Sequence, residues 1–196
     1  DVDLAGFLTR VFAAEGAVMD PDTVHLGAEL GALEALRSGT TTALDMYLHP
    51  AHTRAGAVRL GLRHATGPVF FDSPGPDGID WDTRMSLLAA WSETASALGG
   101  PLAPNVASPH STYLVSPTHL AEIREALRAW NTPVLHTHVS ETLAENAEVY
   151  AGHASTPTRM LADAGILDGS FPVVFGHGIH LDDTDVRLAA EANVRG

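Results

Sequence analysis

Short apolar runs recur along this chain, each ending in a polar turn and each separated from the next by a segment long enough to be a helix. The runs cover residues 40–46, 68–71, 102–107, 133–139 and 172–177, and they predict five strands. Strands that alternate with helices run parallel, because each helix carries the chain back to the end where the previous strand began. The helices are announced by their ends. Asp20 is an N-cap residue and Pro21 suits a first helical position, while Leu26, Leu30, Leu33 and Leu36 mark an apolar face at helical spacing and Gly39 suits a left-handed stop. Further helices are predicted over about 50–61, 81–98, 117–130, 141–153, 156–164 and from Asp182 to about Asn193, after an amphipathic opening segment in residues 1–20. The expected class is α/β, with parallel strands and outer helices. No glycine-rich phosphate loop follows the first strand, so a dinucleotide fold is unsupported. No linker divides residues 1–196 into two domains.

Composition narrows the chemistry. The formal net charge is −13, which argues against nucleic acid or an anionic membrane as partner. All 11 basic residues are arginine, so neither a Schiff-base lysine nor a carbamylated bridging lysine is available. There is no cysteine, so a metal site must be built from His, Asp or Glu. No apolar run approaches the roughly 20 residues that span a bilayer.

The stretch Val134-Leu-His-Thr-His-Val-Ser-Glu141 concentrates the reactive residue types. Residues two apart share a strand face, so His136 and His138 point the same way. Glu141 follows in the turn after the strand. A neutral imidazole is a zinc-type ligand, and a nearby carboxylate can take and return a proton of the attacking water. A buried, hydrogen-bonded core histidine is the competing reading of this stretch alone. The wider pattern favours chemistry: Asp45, Asp72, His110, His138 with Glu141, and His177 with His180 follow successive strands. In a barrel those ends meet at one mouth.

The segments GTTTALDMY, SPHSTY, HTHVSET and GHGIHLDDTD resemble, in order, segments of the amidohydrolase superfamily. The resemblance is to the branch of 5-methylthioadenosine/S-adenosylhomocysteine deaminases, guanine deaminases and triazine hydrolases. It implies a (β/α)₈ barrel with one divalent metal ion, zinc or alternatively iron, and a cytoplasmic enzyme acting on carbon–nitrogen bonds of a small heterocycle. By that resemblance His138 is a metal ligand, Glu141 the proton shuttle and His177 a contact to the attacking water. His110 and Glu15 fall at substrate-binding positions. His136-Thr-His138 is not the first-strand His-x-His pair of the superfamily, because several strand–helix units precede it. His180 is expected to orient its loop. His25, His49, His52, His64, His119 and His153 are given no role.

The superfamily's first-strand His-x-His, its eighth-strand aspartate and its small flanking β-domain have no counterpart in the sequence. The expected fold is therefore a partial (β/α)₈ TIM barrel, about strands two to six. Two open sheet edges would invite association, as in a homo-oligomer. One imidazole does not hold a catalytic zinc, so these residues alone are not expected to form a working site. A chlorohydrolase or imidazolone-ring hydrolase is the alternative activity, and a non-catalytic barrel piece the alternative class.

Overall fold

The computed structural model describes residues 2–192 and Val194. It divides into two compact units, residues 1–69 with 73–106 and residues 70–72 with 107–196.

The first unit opens with α1 (Leu4–Val18), whose N-cap Asp3 accepts the Gly6 N–H at 2.8 Å. Helix α2 (Pro21–Arg37) starts as its sequence dictates. Asp20 accepts the Thr23 N–H at 2.8 Å, and Pro21 sits where no N–H is needed. Strand β1 (Thr42–Leu44), helix α3 (Pro50–Arg59) and strand β2 (Arg63–Ala65) form a crossover, and β1 and β2 pair in parallel with Ala43 opposite His64. Helices α2 and α3 approach closely at Gly56, where a Cβ would stand 2.4 Å from the His25 carbonyl oxygen. Ala32, Ala57 and Leu62 are buried beside that contact. Helix α4 (Trp81–Leu98) is tied to β2 by Arg54, a buried guanidinium that donates to the carbonyls of His64 (2.5 Å) and Gly99 (2.9 Å).

Strand β2 corrects the expected strand count, since the described residues form six strands rather than five. Arg63-His-Ala65 lacks the apolar run of an isolated strand signal and is extended because β1 supplies its partner. The third predicted strand also shifts. Residues 102–104 lie outside it, Leu102 is 95% exposed, and β4 (Asn105–Pro109) begins just past Pro104. Proline has no ladder N–H to offer.

In the second unit a four-stranded sheet runs in the order β3-β4-β5-β6, with the unit boundary passing through β3 (Val69–Phe70) and β4. Strands β5 (Pro133–Val139) and β6 (Val173–His177) are parallel, in a register that sets Leu135 opposite Val173 and His138 opposite Gly176. Helix α5 (Pro117–Leu127) buries Leu120, Ile123 and Leu127 along one stripe. Helices α6 (Leu143–His153), α7 (Pro157–Asp163) and α8 (Asp183–Glu191) complete the unit. The last helix was expected to reach Asn193, which lies outside the described residues. No helix among the described residues is long and apolar enough to cross a membrane.

Candidate active site

Alternation along β5 places the site. Leu135, Thr137 and Val139 are fully buried, while Val134, His136 and His138 share the other, half-buried face. His138 ends that face. Its ring Nδ1 lies 2.7 Å from the His110 carbonyl oxygen. A carbonyl only accepts, so Nδ1 carries the proton and Nε2 is the lone-pair nitrogen. Burial lowers the His138 pKa, more than the His110 carbonyl raises it, so the neutral ring is favoured. Gly176, opposite in the ladder, leaves the ring its space, since a Cβ there would stand 3.1 Å from His138 Cδ2.

His110 follows β4. Its N–H donates to the Phe70 carbonyl at 3.1 Å, and its own carbonyl also takes the His138 backbone N–H at 3.0 Å. The ring packs 5.3 Å from Phe71 and 4.7 Å from His138, centroid to centroid. Burial, with the neighbouring His138 adding to it, pushes the His110 pKa down to about 3, so this ring is neutral at physiological pH.

His177 breaks the rhythm of β6. Val173 and Phe175 are buried and Val174 and Gly176 are half-buried, so regular alternation would bury His177. It is exposed instead, with φ at 69°, a left-handed conformation that costs a non-glycine residue about 1–3 kcal/mol. Its ring stacks on His138 at 5.3 Å and 27°. Its Nε2 lies 3.5 Å from Glu141 Oε2, long for a hydrogen bond but well within electrostatic reach.

The structure therefore brings His110, His138, Glu141 and His177 into one chain of contacts. Glu15 belongs to the first unit, where its Oε1 accepts the Tyr47 hydroxyl at 2.8 Å. Burial, and then that carboxylate, raise the Tyr47 pKa, which keeps the hydroxyl a donor.

Other strand-end residues have local duties. Asp45 holds the buried His64 ring at 2.9 Å, a pairing the sequence reading missed for both residues. Asp72 accepts the Ser116 N–H at 3.0 Å and pairs with His119 Nδ1 at 2.7 Å, which supplies the start of α5 with the cap its own Ser116 side chain does not provide. His180 serves through its backbone. Its N–H donates to the Ser140 carbonyl at 2.9 Å and its carbonyl accepts from Asn146 Nδ2 at 2.9 Å. Glu145 was also overlooked. It accepts the N–H groups of both Ser140 and Glu141, and Thr142-x-x-Glu145, a capping-box spacing, was the signal that pointed to it.

Among the described residues no three His, Asp or Glu side chains converge as a metal-holding group. His138 meets the requirements of a ligand, by its neutral ring, its Nε2 lone pair and a fixed partner on Nδ1.

The sequence of residues 3–195 matches the amidohydrolase family, and the chain belongs to that family. It is 32% identical over 194 residues to a 5-methylthioadenosine/S-adenosylhomocysteine deaminase of Thermococcus kodakarensis, covering 99% of this chain and 45% of the relative. In structure it is similar to a zinc-bound adenosine deaminase from Xanthomonas campestris, with a TM-score of 0.86, 26% identity, and coverage of 99% of this chain and 43% of that one. A guanine deaminase from C. acetobutylicum with guanine in its active site shares the fold, with a TM-score of 0.80 at 18% identity and coverage of 99% and 48%. The chain thus spans under half the length of the relatives it matches. Its fold is α/β with parallel strands, part of a (β/α)₈ barrel.

Proposed function

We propose that the complete protein is a metal-dependent hydrolase that deaminates an aminated heterocycle, a purine nucleoside of the 5-methylthioadenosine/S-adenosylhomocysteine type. The observation that carries this reading is the fixed tautomer of His138, which spends Nδ1 on a backbone carbonyl and keeps Nε2 for a ligand role beside Glu141 and His177. The name of the 32%-identical relative supports the substrate class, and the zinc in a structural relative supports the metal.

In this reading His138 Nε2 is one metal ligand, and the others come from outside the described residues. A divalent ion bound there lowers the pKa of water and acts as a Lewis acid. Glu141 takes a proton from the attacking water and delivers it to a ring nitrogen of the heterocycle. His177, stacked on His138 and facing Glu141, hydrogen-bonds the attacking oxygen. A carbon–oxygen bond forms at the amine-bearing carbon, Glu141 then carries the second proton from that oxygen to the amino group, and the carbon–nitrogen bond breaks as the carbonyl forms and ammonia leaves. His110 stays neutral and offers its ring to the substrate's heterocycle. Glu15 is assigned to substrate binding by the family resemblance alone.

The test is ammonia release by the complete enzyme from 5-methylthioadenosine, S-adenosylhomocysteine, adenosine and guanine, with a chlorinated triazine alongside. Turnover of an adenosine-type substrate is expected. Chloride release from the triazine, with no ammonia from any purine, would overturn the reading.

A further inference from the structure

Glu141 stands in a turn that neither β5 nor α6 dictates. After Val139 the backbone enters the left-handed region at Ser140, with φ at 51°, and reaches Thr142, the N-cap of α6. This turn aligns two successive amides, Ser140 and Glu141, and both donate to one side chain. Glu145 Oε1 accepts the Ser140 N–H at 3.0 Å, and Oε2 accepts the Glu141 N–H at 2.7 Å. Thr142 Oγ1 accepts the Glu145 N–H at 3.1 Å in return. The spacing is that of a capping box, but the glutamate reaches past the N-cap into the turn itself.

Glu145 is 3% exposed. Burial pushes its carboxyl's pKa up, opposed by the backbone donors of Glu141, Ser140 and Thr142. Burying a carboxylate is costly unless its oxygens are satisfied, and an exposed side chain could cap a helix at less expense. The same turn also holds the loop beyond His177. The Val139 carbonyl accepts the Gly178 N–H at 2.9 Å, and the Ser140 carbonyl accepts those of Ile179 at 3.1 Å and His180 at 2.9 Å. One turn conformation therefore sets both Glu141 and the backbone that follows His177.

We propose that Glu145 is a positioning residue: by gripping the Ser140 and Glu141 amides it holds the Glu141 carboxylate beside His177. Its effect on turnover rests on the deaminase reading, and its effect on geometry does not. Both oxygens are needed. Glutamine offers one acceptor and turns an NH₂ donor toward the second amide, so Glu145→Gln sets donor against donor. Aspartate is one methylene too short to span the turn.

The experiment uses the complete, metal-loaded enzyme. Glu145→Gln should lower kcat on the order of ten- to a hundredfold, the scale of a misplacement of about 1 Å, with KM and metal content unchanged. A crystal structure of this variant should show the Glu141 carboxylate displaced from His177. The control is Thr142→Ala, which removes the N-cap bond but leaves both Glu145 oxygens engaged. It should lower the melting temperature and keep kcat. Hydrogen–deuterium exchange on the wild-type enzyme gives an arm free of folding defects, in which the Ser140 and Glu141 amides should exchange slowly. Unchanged kcat with Glu141 in place, an equal kcat loss in Thr142→Ala, or fast exchange of both amides overturns the proposal. If wild-type enzyme releases no ammonia from any substrate, the deaminase reading fails, and the crystal structure and the exchange rates decide the positioning role by themselves.

Discussion

Two strand ends in this chain carry the same pair of residue types and put them to different use. After β1 and within β2, Asp45 and His64 close on each other at 2.9 Å, with the His64 side chain only 4% exposed and that of Asp45 35%. After β5 and β6, Glu141 and His177 stand 3.5 Å apart, 26% and 36% exposed, while the adjacent His138 is fixed through Nδ1 alone. A carboxylate in full hydrogen-bond contact with a buried imidazole forms a strut. Held just beyond a good hydrogen bond and partly wet, the same groups can exchange protons with a third molecule. The contrast lies in the backbone. His64 sits within a regular ladder, whereas Ser140 and His177 both take left-handed conformations. Outliers of this kind cluster at reactive sites.

Paired substitutions in the complete enzyme can break the comparison. The largest effect is expected from Glu141→Gln, which should retain metal and lower kcat by roughly 10²–10⁴, the usual contribution of a general acid–base group. Near-wild-type turnover would remove Glu141 from the chemistry. A smaller loss is expected from Gly176→Ala, whose Cβ would sit 3.1 Å from His138 Cδ2 and press on the ring. Disturbing a ligand's orientation typically costs about 10–100-fold in metal affinity, and metal titration with a competing chelator would measure it. Asp45→Asn should act on stability instead, by about 1–3 kcal/mol for the disrupted partner of a buried ring, read from denaturant midpoints with kcat largely kept. Equal losses of turnover in Asp45→Asn and Glu141→Gln would erase the distinction between the two ends.

The smallest effect concerns pH and lies away from both ends. Burial pushes the Asp168 carboxyl up, but hydrogen bonds from Ser170 and Arg124 outweigh it and hold its pKa at about 2. A carboxylate depressed in this way stabilises the fold fully above its unfolded pKa of roughly 3.9, and the contribution is lost as pH falls through the folded value. The stability gap between wild type and Asp168→Asn should be present at neutral pH and narrow between about pH 4 and 2. A gap that does not change with pH would show that the ion pair with Arg124 is not its source.

What could be read from the sequence was local. The Asp20-Pro21 helix start and the shared face of His136 and His138 depend on near neighbours and fixed periodicities, and both are present. Features that depend on a distant partner were hidden. Strand β2 exists through its pairing with β1, and the buried His64 is paired with Asp45, 19 residues away. Asp72 looked like a strand-end functional residue and instead caps α5 across 44 residues. The left-handed turn of His177 has no sequence signature, since histidine tolerates that conformation without requiring it. The Glu145 grip on the turn could be anticipated only in outline from its capping-box spacing.

The central claim is that the ends of β5 and β6 form one side of a metal-dependent active site, with His138 Nε2 as a ligand. Anomalous X-ray diffraction at the zinc absorption edge, on crystals of the complete enzyme grown with zinc, tests it most directly. One strong anomalous peak within about 2.0–2.1 Å of His138 Nε2, with Glu141 and His177 flanking it, is the expected result. A fully occupied zinc bound elsewhere, with His138 Nε2 hydrogen-bonded to protein, would contradict the claim.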